Sequence, residues 1–234
     1  MLEGKQQCGR ERGSLPKGAR SIALLVVALV CGTPEIASAY TVRASRPRIW
    51  LTSSHVTALK GKATANTPRW QSLKSVCDTY IASISPYQTS VGNYATAYVA
   101  TGNPVYGDKA LALAQIQVDK GHSALFQNSP HAYDARFVLP DVCMAYDWCY
   151  DRMTTAQRDR FRAQLEQWAD WLWTETNPDR FDDWSVNNPG DNFYHGFMMT
   201  WLVGLTLHVE SPKAVGYIDN ALRRWQTEVL PYLQ

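Results

Sequence analysis

Apolar residues recur at spacings of three and four along most of the chain after Thr52, and no segment keeps the strict alternation of a half-buried strand. After Pro68, for example, apolar or aromatic side chains occupy positions 73, 76, 77, 80, 81 and 84. Spacings of this kind place the side chains on one face of a helix, where they can pack against a core. The sequence therefore predicts an all-α fold.

Eight helices follow from this periodicity and from local start and stop signals. Pro68 suits a first helical turn, Gly121 ends a helix, and Thr154 with Gln157 forms a capping-box pattern. Pro140 predicts a kink or a late start in the fifth helix. The predicted spans are Ser53–Ala65, Pro68–Ile84, Val91–Thr101, Tyr106–Lys120, Tyr133–Tyr150, a sixth helix after Thr154, Phe197–Leu207 and Pro212–Leu230.

Besides the helix after Pro68, the fourth and sixth helices have an apolar face that predicts their core residues. Short polar turns join consecutive helices, which is typical of a chain of αα-hairpins, and both a closed ring and an open arc of hairpins fit this pattern. The predicted core residues are Ala110, Leu111, Ala114 and Val118 in the fourth helix, and Phe161, Leu165, Trp168, Ala169 and Leu172 in the sixth.

The first 39 residues have the layout of a secretory signal peptide. Basic residues precede an apolar run from Ile22 to Val30, and Ala37-Ser-Ala39 supplies a small-residue cleavage site. The alternative is an uncleaved membrane anchor, but the apolar run is short for a membrane span. We therefore expect a secreted or periplasmic protein with no membrane contact after cleavage, and a single helical domain over residues 40–234.

Charge and cysteine content exclude several classes of protein. Positions 1 to 39 hold five Lys or Arg and three acidic residues, so 18 of each remain from totals of 23 and 21. A nearly neutral domain offers little electrostatic attraction for nucleic acid. The three remaining cysteines, Cys77, Cys143 and Cys149, have no CxxC spacing and are predicted as buried thiols, with one disulfide involving Cys77 as the alternative.

A polar cluster precedes the seventh helix and is the strongest candidate for a functional site. It runs from Asp183 to Gly196 and contains Trp184, Asn187, Asn188, Asn192, Tyr194 and His195. Amide, phenol and imidazole groups beside a helix N-terminus suit an anionic or sugar ligand. Because residues three apart share a helix face, Asn192 and His195 are expected to act together.

Three segments resemble the N-terminal helical region of heparinase II/III-like and alginate-lyase-type polysaccharide lyases. They are Arg46-Pro-Arg-Ile-Trp-Leu-Thr52, where the family often has histidine in place of Arg46; Ala145-Tyr-Asp-Trp-Cys-Tyr-Asp151 with Met153-Thr-Thr-Ala-Gln-Arg158; and the polar cluster. The resemblance covers nearly all of residues 46–230 and implies an (α/α) toroid, which would be incomplete in this chain. It also implies further helices and a C-terminal β-sandwich domain as partners.

This resemblance implies β-elimination on an acidic, uronic-acid-containing polysaccharide. Such a reaction removes a proton alpha to a carboxylate, so a donor must neutralise the charge that spreads onto the carboxyl oxygens. Asn192 is the first candidate for this donor, with Asn187 or Asn188 second; His195 and Tyr194 are candidates for proton transfer. Arg136 and Trp184 are candidates for substrate binding, through a carboxylate and a sugar ring respectively.

Three alternatives stay open. The polar cluster also fits an ordinary turn in which Asp191 or Asn192 caps the helix, and Arg136 also fits a structural ion pair with Asp134 or Asp141. A glycoside hydrolase would need two carboxylates across a sugar, with candidates Asp134, Asp147, Asp182, Asp183 and Asp191. A carbohydrate-binding or structural domain without catalysis is the third. No metal-ligand spacing such as HExxH occurs, so we expect neither metal nor cofactor.

Overall fold

The computed structural model describes residues 40–84, 90–127, 134–173 and 191–233. These residues are helical and include no strand, so the all-α prediction is confirmed. The predicted signal peptide lies outside the described residues. The helices are α1 Ser53–Thr64, α2 Pro68–Thr79, α3 Val91–Thr101, α4 Pro104–Lys120, α5 Ala135–Trp148, α6 Thr155–Trp173, α7 Asp191–Leu207, α8 Ala214–Arg224 and a final turn, α9 Leu230–Leu233.

Local capping chemistry fixes several helix ends as predicted. Thr154 and Gln157 form the expected capping box, in which the Gln157 N–H donates to Thr154 Oγ1 over 3.2 Å and the Thr154 N–H donates to Gln157 Oε1 over 2.9 Å. Gly102 ends α3 with a φ of 69°, a left-handed conformation that glycine adopts without steric cost. These ends depend on neighbouring residues alone, which is why the sequence predicts them.

Other predicted boundaries are wrong by several residues. Helix α2 ends at Thr79, so Ile84 does not belong to its apolar face and is 71% exposed. Helix α5, by contrast, runs from Ala135 to Trp148, within two residues of its predicted ends, and is helical on both sides of Pro140. Helix α7 begins at Asp191, six residues before the predicted start, and includes the last part of the polar cluster.

The helices pack as hairpins whose members also contact the next hairpin. Consecutive helices pair as α3 with α4, α5 with α6 and α7 with α8, while α1, α3, α5 and α7 contact one another in succession. The core lies between the row of α1, α3, α5 and α7 and the partner helices α4, α6 and α8. The predicted core residues of α4 and α6 are all buried.

Helices α3, α5 and α7 run in the same direction. The start of α3 contacts α5 at Met144, and Tyr98 near the end of α3 donates to Asp151 just beyond α5, over 2.5 Å. At the same end of the molecule, Thr206 of α7 hydrogen-bonds Cys143 of α5. The turns that leave these three helices therefore share one end of the molecule, and the N-terminal ends of α5 and α7 share the other.

The three predicted thiols are buried and none is bonded to another cysteine. Burial raises the pKa of Cys77 to about 11 and those of Cys143 and Cys149 to about 12. Among the described residues, no helix combines the length and the apolar character that a membrane span requires.

Candidate functional site

The polar cluster is only partly within the described residues. Asn192, Tyr194 and His195 belong to the first turn and a half of α7, and their side chains lie outside the description. Trp184, Asn187 and Asn188 lie outside it altogether. Helix α7 as described begins at Asp191, so the backbone is helical at Asp191 and Asn192.

Arg136 lies in the first turn of α5 and is half-buried. Its guanidinium carbon is 4.7 Å from the centroid of the Phe137 ring. Because α5 and α7 pack side by side in the same direction, Arg136 and the first turn of α7 lie at the same end of the two helices. The fold therefore brings two parts of the predicted site to one end of the molecule, although 55 residues separate positions 136 and 191.

The helical rise gives the distance along the two axes. The contact between Cys143 and Thr206 sets the register, and Arg136 precedes Cys143 by seven residues while His195 precedes Thr206 by eleven. At 1.5 Å per residue these positions lie roughly 10 and 16 Å from the contact, in the same direction. Positions 136 and 195 thus differ by roughly 6 Å along the helix axes, about the length of one helical turn.

The register of α7 separates the three predicted catalytic positions. Met198 is 49% exposed, and Trp201 and Leu205 are half-buried, so these residues form the more open stripe of the helix. Position 194 continues this stripe, because it precedes Met198 by four residues. Positions 192 and 195 continue the buried line of Met199 and Leu202, at spacings of three, four and seven.

Asp141 is a functional candidate that the sequence suggested only as an ion-pair partner for Arg136. It lies in the middle of α5, is mostly buried, and makes no ion pair or hydrogen bond with any described residue. Burial raises the pKa of its carboxyl group from 3.8 to about 6. The apolar neighbours at helical spacing, Val138 and Met144, are the signal from which this burial could have been inferred.

Two of the segments that carry the family resemblance contact each other. Asp147, in the Ala-Tyr-Asp-Trp segment, accepts hydrogen bonds from the Arg46 guanidinium over 2.6 Å and from the backbone N–H groups of Arg48 and Ile49 over 2.6 and 3.0 Å. Burial raises the pKa of Asp147, while these donors oppose the rise. Asp147 thus fixes the first segment to the end of α5.

Glu210 completes this network from the turn after α7. Arg48 donates to it over 2.6 and 3.1 Å, and Arg46 lies 2.9 Å from it. These two arginines lower the pKa of Glu210 despite the opposing effect of burial. The two arginines balance the two carboxylates in charge, and each of these carboxylates is paired. The network joins the segment 46–48 to the end of α5 and to the turn after α7.

The network bears on the glycoside hydrolase alternative. Asp134 and Asp147 lie at opposite ends of α5, and thirteen helical steps separate them by roughly 20 Å. Hydrolytic carboxylate pairs are at most about 9.5 Å apart, so these two residues do not form such a pair. Asp182, Asp183 and the side chain of Asp191 lie outside the described residues.

A cleft of about 620 Å³ opens at the end of the molecule where α3, α5 and α7 finish. We call it the turn-end cleft. The segment 44–48, helix α1 and the turns after these helices line it. Tyr150 in its wall has a guanidinium on the ring from Arg46 at 4.1 Å and another from Arg158 at 4.2 Å.

Comparison with protein-family models, curated proteins and solved structures gives no match to this chain. Within the described residues, no group of three or more His, Cys, Asp or Glu side chains is arranged to hold a metal ion.

Proposed function

We propose that this chain is a polysaccharide-lyase-like helical domain that acts on a uronic-acid-containing polysaccharide by β-elimination. In this proposal the αα-hairpins form part of an (α/α) toroid, and the chain acts outside the cytoplasm after removal of residues 1 to 39. The observation that supports the proposal is the parallel packing of α5 and α7, with Arg136 and the first turn of α7 at one end of the two helices.

The location suits an acidic substrate. The N-termini of two adjacent parallel helices each present backbone N–H groups and the positive end of the helix dipole. Arg136 contributes a positive charge in the first turn of α5. A uronate carboxylate bound there would be stabilised as negative charge spreads onto its oxygens, which is the requirement for abstracting the adjacent proton.

Each residue of the cluster has a role in the proposed reaction. His195 removes the proton alpha to the carboxylate, and the electron pair of that C–H bond forms the new carbon–carbon double bond. The bond to the β oxygen breaks, and this leaving oxygen takes the proton from the His195 imidazolium, with Tyr194 on the neighbouring face of α7 as the alternative donor. Asn192, supported by Asn187 or Asn188, donates to the carboxylate; Arg136 binds a carboxylate and Trp184 contacts a sugar ring.

The first test is an absorbance assay of the full chain against alginate, heparan sulfate, chondroitin and hyaluronan. Elimination creates a conjugated double bond that absorbs in the near ultraviolet, whereas hydrolysis does not. We expect Asn192→Ala to abolish the signal with unchanged helical circular dichroism. A matched control is Asn220→Ala on α8, which should retain activity.

Each contrary outcome selects another function. Full activity in Asn192→Ala would remove Asn192 from the mechanism. New reducing ends without absorbance would identify a glycoside hydrolase, and binding without cleavage of any polymer would identify a non-catalytic carbohydrate-binding domain.

A further inference from the structure

The carboxyl group of Asp141 is mostly buried and has no partner among the described residues. It makes neither an ion pair nor a hydrogen bond with them, although it lies in the middle of α5. Burial raises its pKa, and no charged group of the described residues contributes to that shift. Neither carboxylate oxygen is completely enclosed, so a ligand can reach the group from solvent.

A carboxylate held in this way lowers the stability of the fold. Burial removes part of its hydration, and no hydrogen-bond donor or cation replaces the lost water. Groups that are kept under such conditions concentrate at functional sites, where a ligand supplies the missing partner. Asp141 therefore has the properties of a residue whose partner arrives with a ligand.

Asp141 lies on a row of side chains of α5 that faces away from the core, and we call this row the α5 stripe. Phe137, Met144 and Trp148 share it, at helical spacings of three and four. Phe137 is 57% exposed, while Met144 and Trp148 are half-buried. The opposite face of α5, which includes Val142, packs into the core. The α5 stripe thus surrounds one unpaired carboxylate with accessible apolar and aromatic side chains.

Helices α3 and α7 flank the α5 stripe, and α7 adds an aromatic residue at the level of Asp141. The contact between Cys143 and Thr206 again sets the register. Asp141 precedes this contact by two residues, Trp201 by five and Phe137 by six, which is roughly 3, 8 and 9 Å at 1.5 Å per residue. Both aromatic residues therefore lie within about one helical turn of Asp141 along the helix axes.

The flanking helices bring no cation to this carboxylate. Helix α3 contains no charged residue, and α7 contains none from Phe197 to Leu207. On α5, Arg136 precedes Asp141 by five residues and therefore points to another side of the helix. A positively charged ligand would compensate Asp141 for its burial. The nearby rings favour such a ligand as well, because the face of an aromatic ring attracts a cation.

We propose that the α5 stripe binds a small organic amine in its protonated form. The ammonium group donates hydrogen bonds to the Asp141 carboxylate, and the rings of Phe137 and Trp201 contact the ammonium group. The apolar chain of the amine packs along Met144 toward Trp148. This site takes a cation, whereas the proposed elimination site takes an anionic sugar, so the two proposals do not depend on each other.

An NMR titration of the full chain tests the site, with hexylammonium as the probe and hexanol as a neutral molecule of nearly the same shape. Hexylammonium should produce saturable chemical-shift changes and raise the melting temperature, because it binds the folded chain. Hexanol lacks the charge and should bind at least roughly tenfold more weakly.

Two variants test the carboxylate and the ring. Asp141→Asn removes the charge and should fold, since it relieves an unfavourable burial; its affinity for hexylammonium should fall by roughly tenfold or more. Phe137→Ala changes an exposed position and should weaken binding by roughly threefold. Asp159→Asn is the matched control at an exposed carboxylate of α6 and should bind like the wild type.

Five results would each overturn the proposal. They are the absence of saturable hexylammonium binding by the wild-type chain, equal affinity for hexanol, wild-type affinity in Asp141→Asn, unchanged affinity in Phe137→Ala, and equal weakening by Asp141→Asn and Asp159→Asn. Each result is a measurement of amine binding without any polysaccharide. The amine site and the proposed elimination can therefore fail separately.

Discussion

Replacing Asp141 with asparagine should stabilise this protein at neutral pH. Among the described residues, the substitution breaks no ion pair. The reason is the cost of burial. Asp141 is mostly buried in α5 without a hydrogen-bond donor or cation among the described residues, and its pKa is raised from 3.8 to about 6.

The size and the pH window follow from proton linkage. Below pH 4 the carboxyl group is protonated in both the folded and unfolded chains, so it contributes no pH-dependent cost. Between pH 4 and 6 the unfolded chain releases its proton first, and stability falls as pH rises. A shift of about two pKa units corresponds to roughly 3 kcal/mol of folding free energy. The folded protein loses this stability fully once the pH is well above 6. Because the carboxyl group retains some solvent contact, the figure is an upper estimate.

Urea unfolding at pH 3.5, 5 and 7.5 measures this cost directly. The free energy of unfolding of Asp141→Asn should match that of the wild type at pH 3.5 and exceed it by roughly 2–3 kcal/mol at pH 7.5. Asp159→Asn is the matched control on α6, because Asp159 is exposed and its pair with Arg162 is three residues away; its effect should stay below about 1 kcal/mol. Equal free energies of unfolding for Asp141→Asn and wild type at pH 7.5 would refute the reasoning. A difference in that free energy that stays constant from pH 3.5 to 7.5 would refute it as well.

Three further predictions concern packing and the buried groups. Gly204→Ala places a Cβ 2.7 Å from Ile218 Cγ1 and 2.9 Å from a backbone oxygen of α8, so it should cost about 1–3 kcal/mol in urea unfolding, whereas Gly216→Ala meets nothing within 4 Å and should gain about 0.5–1 kcal/mol. Asp147→Ala removes one of the two carboxylates that pair with Arg46 and leaves the backbone N–H groups of Arg48 and Ile49 without their acceptor. It should cost about 3–5 kcal/mol by the same measurement, against less than about 1 kcal/mol for the exposed Asp119→Ala. Iodoacetamide at pH 8 should label the buried thiols only after unfolding, as measured by peptide mass spectrometry. These thiols are Cys77, Cys143 and Cys149. Labelling in the native protein would contradict their burial.

The candidate site was only partly predictable. The spacing of Asn192 and His195 predicts a shared helix face, and α7 is helical at both positions. The sequence does not show that this face becomes the buried one at Met199 and Leu202, because that depends on which helices pack against α7. The same spacing argument therefore applies equally to a catalytic pair and to a packed one.

The Asp147 network illustrates what local reasoning misses. The Arg46 and Ala-Tyr-Asp-Trp segments are two separate stretches of the sequence that carry the family resemblance. Their direct contact joins residues about 100 positions apart, through Arg46 and Asp147. No periodicity or capping signal in either segment predicts a bond over that distance.

The sequence by itself determined which segments are helical and where several of them begin and end, because apolar spacing and capping hydrogen bonds involve residues within four positions of one another. Only the tertiary structure decided that α5 and α7 run side by side in the same direction, that Asp141 is mostly buried with no ion pair or hydrogen bond to a described residue, and that Trp50 is exposed beside Trp148. These properties depend on the neighbours that packing supplies, and such neighbours come from remote parts of the chain.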